Sequence, residues 1–301
     1  MSRNNFNWTG VFPAATTQFS ADLALDLPNT QRVIDALIRN GVHGLILMGT
    51  VGEGNSLTAD EKRRLLGAAR EAVAERAPLI VGVSEFTTDL GINWARDAER
   101  LGADGLMVLP AMVYVPTAEE LTAHFRAIAQ ATRLPIMLYN NPPAYRVEIG
   151  LSVLDALANE PTIVAIKESS PDTRRYTDIF NRFGDRYHMI AGLDDVVLEA
   201  LMLGARGWVS GLTNVFPTES VALFEAARRG DYARALAIYR WFMPLLHLDA
   251  EHDLVHTIKL AEQLMGRGSE RLRRPRLPLG SVRRAEVQSL VEQAVRTRPT
   301  L

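Results

Sequence analysis

The 301-residue chain contains no cysteine. That single absence removes disulfides, thiolate nucleophiles and cysteine-ligated zinc or iron–sulfur centres. Charge of one sign is also missing. Thirty-three Lys and Arg face 35 Asp and Glu, a formal net charge of −2, with a pI near 6.3. A nucleic-acid binder is usually recognised by a basic excess, so no nucleic-acid partner is expected. No run approaches the roughly 18 uninterrupted apolar residues of a membrane span, so no membrane partner is expected either. The opening residues Met1–Gly10 carry no apolar segment of the signal-peptide kind, and a reducing cytoplasm is the expected location. Apolar residues at 47% and charged residues at 23% are those of a chain that buries a core.

What is present is an alternation. Eight short, nearly continuous apolar runs occur at Val11–Thr17, Gly44–Met48, Leu79–Val83, Gly105–Leu109, Ile136–Tyr139, Thr162–Ile166, His188–Ala191 and Gly207–Ser210. Parallel strands covered on both faces read this way. Amphipathic segments lie between them. Asn29–Asn40 places Val33, Ile34, Leu37 and Ile38 on one face, and Thr58 and Thr117 each precede an acid by three residues, the pattern of a capping box. The spacing predicts a (β/α)8 barrel over residues 1–224. A doubly wound open sheet would call for a G-x-G-x-x-G turn, which Met48–Gly54 is not. Residues 225–301 are expected to form a C-terminal helical extension with Gly230–Leu246 and Leu254–Met265 helical, and the basic run Arg271–Arg276 to be a solvated tail.

In such a barrel the reactive groups stand at the C-terminal ends of the strands. After the second run comes Gly49-Thr-Val-Gly-Glu53, after the fifth Tyr139-Asn-Asn-Pro-Pro-Ala-Tyr145, at the end of the sixth Lys167, and after the seventh Gly192-Leu-Asp-Asp195. Strand alternation puts Lys167 on the side of Ile163 and Ala165. If that side faces the interior, desolvation disfavours the ammonium and leaves a neutral amine able to attack a carbonyl or imine carbon. The alternative is a strand-end lysine reaching solvent or paired with Glu168. The Gly49–Glu53 turn can offer backbone N–H groups to a carboxylate, or be only a tight turn. Tyr139 can relay a proton, or be a satisfied core tyrosine. His252 and His256 have the spacing of a helical zinc pair, but the intervening acid is Asp253 and the segment lies outside the barrel mouth. Solvated histidines, and no metal, are expected there.

Three stretches in order, Gly49-Thr-Val-Gly-Glu53, Tyr139-Asn-Asn-Pro142 and Ile166-Lys167-Glu-Ser169, resemble the dihydrodipicolinate synthase / N-acetylneuraminate lyase superfamily over nearly the whole chain. The resemblance implies a barrel, usually homotetrameric, with Lys167 as a Schiff-base lysine and Tyr139 assisting. Gly49, Thr50 and Val51 would hold the carboxylate of a small-molecule 2-oxo acid or its imine, with Ser169, Gly192 and Ser210 lining the site. No cofactor beyond the lysine imine is implied. The chain departs from the synthase pattern at Val51 (a Thr there), at Ala144 (a carboxylate-anchoring Arg there) and at Pro110–Tyr114 (a Tyr pair there). Val11–Phe19, Glu85–Thr88, Tyr139–Pro143, Ala191–Asp195, Leu246–Asp249 and Ile258–Leu260 are most similar to the Δ1-pyrroline-4-hydroxy-2-carboxylate deaminases. That branch implies hydrolytic deamination of a cyclic imine. The rivals are a lyase releasing pyruvate from a 2-keto-3-deoxy sugar acid, a synthase of the dihydrodipicolinate kind, and a non-catalytic barrel that binds a 2-oxo acid.

Overall fold

In a computed structural model, the described residues are 7–111 and 113–301. The reading of residues 1–6, and of Met112 within the Pro110–Tyr114 stretch, lies outside them. Eight parallel strands run β1 Gly10–Pro13, β2 Leu45–Leu47, β3 Leu79–Val83, β4 Gly105–Val108, β5 Ile136–Asn140, β6 Ile163–Glu168, β7 His188–Ala191 and β8 Gly207–Ser210. Each falls within or against its apolar run. From β2 to β8 each strand pairs in parallel with the next, β1 pairs β8, and an isolated parallel bridge from Ala14 to Ile46 draws β1 toward β2. The result is a (β/α)8 barrel.

The intervening helices are α1 Leu27–Arg39, α2 Ala59–Val73, α3 Thr88–Arg100, α4 Ala118–Gln130, the single turn α5 Pro142–Tyr145, α6 Leu151–Leu157, α7 Arg174–Phe183, α8 Val197–Met202 and α9 Pro217–Arg228. Both expected capping boxes form: Thr58 with Glu61 starts α2, and Thr117 with Glu120 starts α4. In each the threonine hydroxyl takes an orphan N–H and the glutamate returns the favour. Position 224 lies inside α9, which packs on β1 as the eighth crossover helix.

Three further helices follow: α10 Tyr232–Ala250, α11 Leu254–Leu264 and α12 Ser281–Arg296. The first is tied down at the strand ends. Tyr239 Oη lies 2.5 Å from Asp195 O and 2.7 Å from Glu199 Oε2, its one proton between them, and His247 Nδ1 lies 3.0 Å from Asp195 Oδ2. The last turn of α10 thereby reaches the barrel mouth.

The Arg271–Arg276 run is not a solvated tail. The Arg273 guanidinium donates to both oxygens of Glu61 at 2.8 and 2.6 Å, and its backbone N–H donates to Glu53 Oε2 at 3.0 Å. Local composition signalled charge, but the partners lie more than 200 positions away. His252 stands in the turn before α11, so it and His256 do not share a helix face.

Candidate active site

Strand alternation sends Lys167 and Glu168 to opposite sides. Glu168 is fully buried on the helix side, where Asn140 Nδ2 donates to both its oxygens at 2.8 and 3.0 Å and Arg175 Nε donates at 2.8 Å. Its capacity is thus taken up away from the lysine. Lys167 points inward, 5% exposed, with Nζ 3.8 Å from the Tyr139 ring centroid. Tyr139 and Lys167 are register partners on β5 and β6, which is what brings amine and ring together. Burial lowers the lysine pKa, and the Asp249, Tyr145 and Asp194 charges act against that. The Tyr139 phenol is pushed up to about 12, chiefly by burial. It is a held proton at neutral pH, and Asn141 Nδ2 donates to its oxygen at 3.0 Å.

Lys167 opens into a small cavity at the barrel mouth. Its lining includes Gly49, Thr50, Val51, Tyr139, Ala144, Tyr145, Gly192, Gly211 and Asp249, with Met107, Leu193 and Leu254 as apolar walls. The sequence motifs therefore converge on one place. The Thr50 hydroxyl is hydrogen-bonded to the Tyr145 phenol, and the Tyr145 ring meets Tyr139 edge-on at 5.7 Å. The turn that carries Thr50 is bracketed by two non-glycine residues at positive φ, Met48 at 59° and Glu53 at 52°. Such conformations cost of order 1–3 kcal/mol each and persist only where the surroundings impose them. Here Glu53 is imposed upon: fully buried, it accepts from Lys259 Nζ at 2.8 Å and from the Arg273 N–H. Lys259 is itself fully buried.

Gly192 is required by close approach. A Cβ on it would lie 2.3 Å from Ser169 Oγ and 2.6 Å from Lys167 Cγ. Ser169 Oγ is buried, without a hydrogen-bond partner, beside the lysine stem. Ser210 sits deeper. Its hydroxyl donates to Asp194 Oδ2 at 2.8 Å and accepts from the Thr213 N–H at 2.9 Å.

Among the lining residues given no role by sequence reasoning are Tyr145 and Asp249. Tyr145 follows the Asn-Asn-Pro-Pro turn, and its position in the cavity depends on α5. Asp249 comes from the end of α10, outside the barrel, and no barrel motif signals it. It is buried together with Asp194, which also accepts from Trp208 Nε1 at 2.8 Å and from the Leu212 N–H at 3.1 Å.

The fold and this lysine-centred mouth define an enzyme of the class I aldolase and lyase type. Residues 7–294 match the dihydrodipicolinate synthetase family, and the chain belongs to it. It is 32% identical to the 4-hydroxy-tetrahydrodipicolinate synthase 2 of Halalkalibacterium halodurans over 94% of this chain and 97% of that one. It is 38% identical to the corresponding synthase 1 of Streptomyces coelicolor over 84% and 82%. Among solved structures, dihydrodipicolinate synthase from Aquifex aeolicus superposes with a TM-score of 0.91 at 28% identity, covering 95% of this chain and 97% of that one. YagE from Escherichia coli, a protein of the same family in complex with pyruvate, gives 0.90 at 29%, covering 96% and 99%. The superfamily expectation holds. The finer expectation does not gain from these relatives, because three of them are named as synthases and none of the four points to the pyrroline deaminase.

Proposed function

We propose that the chain acts on a small 2-oxo acid, or the cyclic imine of one, by forming a Schiff base at Lys167. The observation that carries this is the buried amine on β6, set against the Tyr139 ring and opening into the cavity behind the Gly49–Glu53 turn. Backbone N–H groups around Thr50 and Val51 bind the carboxylate. The neutral amine attacks the adjacent carbon, and Tyr139 relays protons as the carbinolamine loses water. The protonated imine then serves as the electron sink for chemistry at the next carbon.

The relatives support the synthase-like reading at the level of substrate. A specific feature of the cavity favours a second reading, the hydrolytic deaminase. A dipicolinate carries two carboxylates, whereas among the described residues Lys167 is the one cation in the cavity lining, and Ala144 and Val51 present only carbon. A five-membered cyclic imine with one carboxylate suits such a lining. In that reaction transimination by Lys167 opens the ring of Δ1-pyrroline-4-hydroxy-2-carboxylate, and the nitrogen stays on C5. Loss of the C3 proton and the 4-hydroxyl releases one water, and the double bonds shift to place an imine at C5. Hydrolysis there frees ammonia, and a second hydrolysis frees Lys167 and 2,5-dioxopentanoate.

Borohydride reduction in the presence of pyruvate should add mass to the Lys167 peptide, and Lys167→Ala should abolish both adduct and turnover. Normal turnover by Lys167→Ala overturns the Schiff-base reading. Ammonia release from the hydroxypyrroline carboxylate, set beside consumption of pyruvate with an aldehyde, decides between the two substrate readings.

A further inference from the structure

The chemistry just described removes a proton from the carbon beside the imine, whichever substrate is used, and none of the residues assigned so far is a base. Tyr139 holds its proton firmly. Ser210 is committed to Asp194. One carboxyl does face the cavity. Asp249 arrives from the last turn of α10 and lines the same space as Lys167 and Tyr139. Its Oδ1 is buried with no hydrogen bond of good geometry, and the Gly211 N–H and Asp194 are the polar groups beside the carboxyl. The place it occupies is kept open by Gly211, where a Cβ would sit 1.9 Å from that oxygen.

Behind Asp249 stands Asp194. Three donors, Trp208 Nε1, Ser210 Oγ and the Leu212 N–H, hold the Asp194 carboxyl in place. Two buried carboxyls in contact do not both ionise readily, so the pair shares a proton over an extended pH range. Burial pushes Asp249 up to about 6, while the Lys167 charge, the Gly211 N–H and Asp194 pull it down. A carboxyl tuned in this way is matched to taking and returning a proton near neutral pH.

We propose that Asp249, oriented by Asp194, is the catalytic base that moves the proton at the carbon next to the Lys167 imine. The carboxylate oxygen takes the proton. The C–H electron pair becomes a carbon–carbon double bond, and the imine pair settles on nitrogen and neutralises its charge. The neutral enamine and a protonated Asp249 result, and the reverse step restores both. The proposal rests on the Schiff-base reading but is independent of the choice between synthase and deaminase.

The experiment uses the full chain with pyruvate as probe, following methyl hydrogen–deuterium exchange in D2O by NMR and imine formation by borohydride trapping. Asp249→Asn is expected to keep the trapped adduct and to lose exchange by about 10²–10⁴-fold. Asp249→Glu is expected to recover part of it. Exchange by Asp249→Asn within threefold of the parent overturns the proposal. So does a folded Asp249→Asn that forms no adduct, because the residue then acts on the amine and not on the carbon. A parent chain that gives no adduct overturns the Schiff-base reading and this proposal with it. A measurement on the parent alone covers a variant that does not fold: exchange at saturating pyruvate should rise with pH through an inflection near 6, and a flat profile refutes the assignment. The charged and titratable groups facing Asp249 in that profile are Lys167 on β6, Tyr139 on β5, and Asp194 and Asp195 after β7.

Discussion

Removing the Lys259 ammonium tests whether the mouth is held from beneath by the C-terminal helices. In Lys259→Met, Glu53 keeps the Arg273 N–H at 3.0 Å and the Arg276 guanidinium at 3.9 Å but loses the buried cation at 2.8 Å. Two carbonyls, Thr17 O and Arg271 O, lose their donor as well. Breaking a buried pair from one side costs about 3–5 kcal/mol, and the surviving partners of Glu53 place this case near about 3 kcal/mol. At about 2.1 cal/mol/K per residue of unfolding entropy, a chain of 301 residues should lose about 5 °C in thermal midpoint. The double variant Glu53→Gln/Lys259→Met removes the stranded charge and should regain about 1–2 kcal/mol. Because Glu53 closes the Gly49–Glu53 turn at positive φ, the single variant should also raise the pyruvate concentration that half-saturates borohydride trapping, by roughly tenfold or more. Scanning calorimetry at one scan rate and the trapping titration give both numbers. A midpoint shift below about 1 °C would refute the account of the clamp. An unchanged half-saturation would refute its connection to the turn.

Three further outcomes follow from the same geometry. Tyr139→Phe should lower kcat about 10²–10⁴-fold in steady-state assays, and unchanged kinetics would remove the phenol from the proton path. Gly192→Ala drives a methyl to 2.3 Å from Ser169 Oγ and 2.6 Å from Lys167 Cγ. Its stability cost should be about 1–3 kcal/mol, while adduct formation falls by about 10²-fold. A variant that traps pyruvate normally would show that the lysine stem has room. Glu262, fully buried with one oxygen unpartnered, is pushed from 4.5 up to about 7 by burial, against the pull of its Thr16 hydrogen bond and of Lys259. Between those values the unfolded chain has released a proton that the folded chain keeps, so this group's contribution is complete below pH 4.5 and is lost as pH rises toward 7. Glu262→Gln should flatten that part of the midpoint-against-pH curve, an effect of roughly 5 °C at most; an unaltered curve would assign the proton elsewhere.

The barrel was legible because parallel strands buried on both faces leave continuous apolar runs, and all eight are strands in the structure. Thr58 and Thr117 were legible because a cap is local, complete within four residues. Alternation sets Lys167 on the side of Ala165 and opposite Glu168, but which side faces the interior was left open and only the closed barrel decides it. Asp249 and the Arg271–Arg276 run were not legible for one shared reason. What surrounds them is decided by how α10 to α12 return across the barrel, and nothing within a dozen residues of either encodes that path. The same holds for α12, whose buried positions Val287, Val291 and Ala294 alternate with exposed apolar ones such as Val282 and Val295. Tyr145 is an intermediate case. Its motif was in view, but the α5 turn that swings it against Thr50 was not. At the level of substrate, three departures from a pattern pointed one way and the relatives' names point the other. A cavity wall of small side chains is compatible with more than one guest.

The tether from Lys259 and Arg273 to Glu53 joins positions more than 200 residues apart. A ribosome releases the second-strand turn long before it has made the residues that fasten it. Until the last quarter of the polypeptide emerges, Glu53 has no ammonium to face and Asp194 no Asp249. A chain cut short after the eighth strand would lack every one of those late partners, Lys259, Arg273 and Asp249.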